Sequence, residues 1–108
     1  MILLRSHPRV SNEVESIAES LAAVRPSYGY RFLTALHTAY QSIQAAPTSF
    51  PKWGYPVRGH DIRFTVLRRF KQVVLFDVRE SEVFIVSVYH ERRHHRHWVK
   101  RLLNDTDE

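Results

Sequence analysis

The sequence predicts an α+β fold: an N-terminal strand, a two-helix hairpin, a three-stranded antiparallel meander completing one sheet, and a short C-terminal helix. Three observations carry this. Apolar residues recur at spacings of three and four through the first half, and β-branched and aromatic blocks fill the second. Between them lies "PTSFPKWGYPVRG", 47–59, with three prolines and two glycines in thirteen residues. At 108 residues and 44% hydrophobic, the chain has material for one modest core and is read as one domain over 1–108.

The elements follow in order. "ILLR" is a short apolar run that reads as a strand; Ser6 is the candidate N-cap of the next helix and Pro8 lies in its first turn, where a missing N–H costs nothing. Val10, Val14, Ile17, Leu21 and Val24 form one apolar stripe, with Asn12, Glu13, Glu15, Glu19 and Ser20 away from it. Pro26 disfavours helix at Arg25 and breaks the pattern. Tyr28, Phe32, Leu36, Ala39 and Ile43 form a second stripe that ends before Pro47, so two helices with so short a break should pack antiparallel. "IRFTVLRRF", "QVVLFDV" and "EVFIVSVYH" then read as a meander. The last is nearly continuous in Val, Phe and Ile, as a central strand covered on both faces should be. The first strand is expected to join this sheet, with the hairpin over one face. Trp98 and Leu102, four apart, predict a short helix before an acidic end.

Composition excludes several classes. Without cysteine there is no disulfide framework and no Cys-based zinc site. "MILLRSHPRV" has three apolar residues between Met1 and Arg5, far short of a signal-peptide core or a membrane span, and predicts a cytoplasmic protein with no membrane partner. The net charge of +5 is uneven: residues 52–101 hold twelve Lys/Arg against five Asp/Glu, and residues 1–51 four against three. A polyanion or an acidic partner belongs on the second half.

Residues 90–94 spell HERRH, and HExxH is a zinc-protease string. A zincin needs both histidines on one helical face, yet His90 closes a predicted strand, so His90 and His94 straddle a strand-to-helix junction. Arg92 and Arg93 would place two positive charges beside a dication. The reading is no metal site and no cofactor, with His90, His94, His95 and His97 binding nickel or zinc only adventitiously. Four histidines, three arginines and Trp98 within nine residues, with Arg58, Arg63, Arg68, Arg69 and Lys71 on or near the neighbouring strand, suit phosphate or carboxylate instead. The bland counterparts are a solvated edge strand for Arg68, Arg69 and Lys71, and a core anchor for Trp98. His37 reads as structural or merely exposed, and His60 carries no signal alone.

On these residues the chain resembles the RelE/ParE superfamily of toxins from type II toxin-antitoxin systems, formerly called plasmid stabilisation proteins. "SHPRVSNEVESIAESL" is similar to the family's strand-to-helix opening, and "YRFLTALHTAYQSIQAAPTSFP" to its second helix and Pro-containing loop. "IRFTVLRRFKQVVLFDVRESEVFIVSVYHERRHHRHW" is similar to its R…F…V-x-H-x-x-R…W pattern, His90 and Arg93 falling on H-x-x-R and Trp98 on the trailing aromatic. Lys71 and Gln72 depart from it, standing where many members have Pro-Tyr.

The resemblance implies a cognate antitoxin, a hetero-oligomer with it, and one of two activities. RelE-type members are ribosome-dependent mRNA endoribonucleases; here His90 or one of His94, His95 and His97 would move the proton, with Arg63 and Arg93 on the phosphate. ParE-type members inhibit DNA gyrase by binding, and here the target-binding set would be Arg63, Arg68, Arg69, His90, Arg92, Arg93 and Trp98. Three lysines and no tyrosine after Tyr89 place the chain closer to the ParE branch. A plain nucleic-acid-binding module is the remaining class, since a basic sheet suffices for phosphate.

Overall fold

The structure is a computed structural model, and it describes residues 2–93 and 95–103. β1 (Leu3–Ser6) leads into α1 (Arg9–Val24) and α2 (Pro26–Ala45). A 3₁₀ turn at Pro47–Ser49 opens the long loop, after which β2 (Ile62–Leu67), β3 (Gln72–Val78) and β4 (Glu82–His90) form the meander. A second 3₁₀ turn, His95–Trp98, starts α3 (Val99–Leu103). No helix among the described residues is long and apolar enough to cross a membrane.

The break between α1 and α2 is one residue. Arg25 is extended at φ −157, ψ 126, and Pro26, with no N–H to satisfy, begins α2. The helices then approach closely at Gly29, where a Cβ would stand 3.1 Å from the Ala18 carbonyl oxygen and 3.2 Å from the Ala22 Cβ. The returning chain brings β4 alongside β1. Strand order is β1-β4-β3-β2, with β1 parallel to β4 from Leu3↔Glu82 to Ser6↔Ile85 and the other pairs antiparallel. The Gln44 side chain donates to the Ile2 carbonyl and ties the end of α2 to β1.

β4 is covered on both faces, as its sequence predicts. On the helix side Val10, Phe32, Leu36 and Ile43 pack against Val74, Phe76, Val83, Ile85 and Val88. On the other side Trp98 and Leu102, with Trp53 and Val57 of the loop, cover Leu75, Phe84, Val86 and Tyr89. A β-bulge shifts the alternation: Phe76 pairs with Ile85 but Leu75 with Ser87, so Val86 is the extra residue. Past it Val88 faces the helices and Tyr89 the opposite core, which is why the run has no clean period of two.

Three local expectations are corrected. Ser6 is the last residue of β1, and the orphan Arg9 N–H is instead accepted by His7 Nδ1 at 3.2 Å. Val24 is 76% exposed, because the hairpin turns before the sheet reaches it. β2 stops at Leu67; residues 68–71 form a turn with Lys71 in the left-handed region at φ 57, which puts Arg68 and Arg69 off the strand.

Candidate functional site

Two turns meet at one end of the sheet. Antiparallel pairing sets Gln72 opposite Leu67 on one side and His90 on the other, and Glu91 N–H donates to the Lys71 carbonyl at 2.9 Å. Beyond His90 the chain doubles back: Arg93 N–H donates to the His90 carbonyl at 2.9 Å and Arg92 N–H to His90 Nδ1 at 3.1 Å. Arg68, Arg69, Lys71, His90, Arg92 and Arg93 are therefore neighbours on one exposed rim, with Glu91 its one carboxylate. Residues 90–93 run from strand into turn and share no helix; His94 lies outside the described residues.

Arg63 is elsewhere. It pairs with Phe76, four residues along β3 from Gln72, which is roughly 13 Å along the strand direction. Its Nη1 donates to the carbonyls of Thr48 (3.0 Å) and Phe50 (2.8 Å) and its Nε to Asp61 (3.1 Å), so the guanidinium pins the long loop to β2. The structure does not bring His90, Arg63 and Arg93 around one phosphate. Trp98 is also removed from the rim: it is 1% exposed and edge-on to Trp53 at 6.3 Å, so it presents no surface to a target in this fold.

A buried polar hub lies beside the rim. β1 accompanies β4 only as far as Ile85, leaving the following edge groups without a strand. Glu13 and Arg101 take its place. Glu13 Oε1 accepts from Val88 N–H at 3.1 Å, and Arg101 Nη1 donates to the Val86 carbonyl at 2.9 Å. The two side chains close on each other in a fork, Nη1 to Oε1 at 3.0 Å and Nη2 to Oε2 at 2.9 Å. Arg93 Nη1 stands 3.7 Å from the same carboxylate and so links hub to rim.

Ser87, His97 and Glu13 also meet here, but not as a catalytic triad. Ser87 Oγ lies 3.0 Å from His97 Nε2 and 3.1 Å from Glu13, and the carboxylate sits 3.8 Å from that same nitrogen. A triad needs the acid on the ring nitrogen remote from the serine, and Ser87 is fully buried. Burial pushes the Tyr89 phenol up to about 12, so Tyr89 offers no base near neutrality.

The opposite end of the sheet holds its cations in pairs. Asp77, 1% exposed, accepts from Asp61 N–H (3.0 Å) and Arg79 Nε (3.0 Å) and lies 2.7 Å from His60 Nδ1. Arg79 also reaches Glu82 at 3.2 Å, and Arg5 reaches it at 3.0 Å. Both guanidiniums stand over the Phe84 ring, at 4.4 and 4.6 Å from its centroid.

Sequence reasoning missed the hub because it set Glu13 among the outward-facing residues. A signal was present. Glu13 falls three residues after Val10 and beside Val14, on the flank of the apolar stripe, and Arg101 falls three after Trp98.

A four-stranded sheet under a helical hairpin, closed at its far face by a C-terminal helix, is a ParE-like fold. A chain of the chromosomal ParDE toxin-antitoxin system from P. aeruginosa carries it too, with a TM-score of 0.69 over 83% of this chain and 96% of that one at 15% identity. No family model matches the chain, and no curated protein matches it in sequence.

Proposed function

We propose that this chain is the toxin of a type II toxin-antitoxin pair, that it acts in the cytoplasm by binding DNA gyrase, and that a cognate antitoxin holds it inactive in a hetero-oligomer. The observation that supports binding over cleavage is the dispersal of the groups an RNase needs. Arg63 is committed to the loop, Tyr89 is a buried phenol, and His90 is exposed and accepts a backbone N–H at Nδ1. A nuclease must hold its acid, base and phosphate clamp together in the transition state. An inhibitor needs only an accessible interface, and the rim of Arg68, Arg69, Arg92 and Arg93 provides one rich in the guanidinium anchors that dominate such contacts. The same rim suits an acidic antitoxin segment.

The test is induction of the chain alone in a bacterium, together with a supercoiling assay on the purified protein. Expected are growth arrest with filamentation and the SOS response, and loss of gyrase supercoiling that the product of an adjacent small acidic gene restores. Arrest with codon-positioned mRNA cuts and intact supercoiling would replace this reading with the RelE-type one.

A further inference from the structure

Where α2 passes the turn between β2 and β3, the fold leaves a hollow of about 370 Å³. The turn builds one wall. β2 ends at Leu67, Phe70 N–H donates back to the Leu67 carbonyl at 3.1 Å, and the Phe70 ring lands edge-on to Phe32 of α2 at 6.2 Å. Arg69 is carried with it, its guanidinium carbon 5.9 Å from the Phe70 ring centroid. The other wall is α2, which contributes Tyr30, Arg31, Thr34 and Ala35, held on one helical face by their spacings of three and four. Arg31 and Arg69 thus share one opening whose lining holds no carboxylate. Both are exposed, and neither makes an ion pair among the described residues.

We infer that this hollow binds a phosphate monoester carried on a planar ring, the chemistry of a mononucleotide. Two like charges at one opening stabilise nothing in the fold, whereas a phosphate has oxygens enough for both guanidinium forks. Thr34 adds a hydroxyl donor one turn along α2 from Arg31. A bare anion would need no more than these three groups. The rest of the lining is Phe70, Tyr30 and Ala35, two aromatic rings and a small apolar residue, which suit a flat ring attached to the phosphate. The volume lies toward the lower end of the range for small-ligand pockets, about 300–1,000 Å³, and so admits one nucleotide and no folded partner. Arg69 belongs to the rim as well, but Tyr30, Arg31 and Thr34 do not. The site therefore stands whether or not the rim binds gyrase.

Calorimetric titration of the whole purified chain with adenosine monophosphate tests this, with adenosine, ribose phosphate and inorganic phosphate as partial ligands. The monophosphate is expected to bind with a Kd of about 0.1 mM at low salt, and each partial ligand at least about tenfold more weakly. Arg31→Gln should weaken the monophosphate about tenfold and Tyr30→Ala about threefold. Ala35→Leu, which fills the hollow and leaves both charges, should abolish binding; thermal melts check that each variant is folded. An Arg31→Gln protein that binds as the wild type does, or inorganic phosphate bound as tightly as the monophosphate, would overturn the inference. So would an Arg92→Ala loss equal to that of Arg31→Gln, which would put the phosphate on the rim. A single-stranded oligonucleotide that binds where the monophosphate does not would overturn it too, by naming the phosphates of a strand as the ligand. The readout involves neither growth nor gyrase, so this inference and the toxin reading fail separately.

Discussion

The two ends of the sheet hold similar cations and use them in opposite ways. At the β1/β4 start, Arg5, Arg79 and His60 are spent on Glu82 and Asp77, and the two guanidiniums stand over the Phe84 ring. At the other end Arg68, Arg69, Lys71 and Arg92 make no ion pair among the described residues, and only Arg93 leans toward the Glu13 hub. The difference teaches that a count of basic residues does not locate a binding surface. A cation paired to a buried carboxylate is part of the fold, and one left facing water is available to a partner. Arg63, counted with the rim in the sequence, belongs with the paired group.

The hub is where this contrast can be broken most forcefully. Glu13→Ala leaves Arg101 buried without its carboxylate and strips Val88 N–H of its acceptor, so a loss of about 3–5 kcal/mol is expected in chemical denaturation. A Glu13→Ala protein as stable as wild type would mean that the fork is held in water and not in the fold. Trp98→Ala should cost a comparable amount, about 3–5 kcal/mol, as a large-to-small change in the second core. Any loss of target binding by Trp98→Ala should then vanish under conditions that keep the variant folded; persistent loss in a folded variant would show direct contact.

Smaller effects come from pH. The hydrogen bond from Arg5 holds the Glu82 carboxyl below its ordinary value of 4.5, with Arg79 acting in the same sense and burial opposing. A folded value below the unfolded one means stability that is present above the ordinary pKa and is lost as pH falls through the folded one. Glu82→Gln should therefore flatten the acid limb of the stability curve while the rim is untouched. Burial, then Glu13, pushes Tyr40 up to about 12, and Tyr89 stands near the same value. Folded values above the usual 10 stabilise below pH 10, and that contribution is lost as pH climbs toward about 12. Tyrosinate absorbance in an alkaline titration should rise only with unfolding for these two phenols.

The smallest stability change belongs to the rim. Arg68→Ala, Arg69→Ala and Arg92→Ala should each shift stability by no more than about 0.5 kcal/mol. Under the proposed function, the three combined should weaken binding of gyrase and of an antitoxin far more than they disturb folding. A triple variant that unfolds would place these residues with the paired end of the sheet.

Much of this was legible in the chain because it is local. The stripes of α1 and α2, the Pro26 break and the aliphatic run of β4 are properties of neighbours in sequence, and each element formed where its period said it would. The end of β2 was less legible, since "VLRRFK" has strand composition throughout and the turn depends on Lys71 accepting a left-handed conformation as the chain closes the β2–β3 hairpin with Leu67 opposite Gln72. The bulge at Val86 was illegible for the same reason: a one-residue phase slip in an all-apolar run leaves no mark on hydrophobicity.

By itself the sequence determined which segments are helix and strand, the order that makes the sheet-and-hairpin layer, the basic second half, and the meeting of His90 with Arg92 and Arg93, because all of these follow from short-range periodicity and adjacency. Which cations stay free was decided only by tertiary structure. Glu13 and Arg101 are 88 residues apart, and His60 and Asp77 are 17 apart. Such pairs form because a buried edge group or a buried carboxylate must find a partner wherever the fold brings one, and nothing in the local pattern says which arginine that will be.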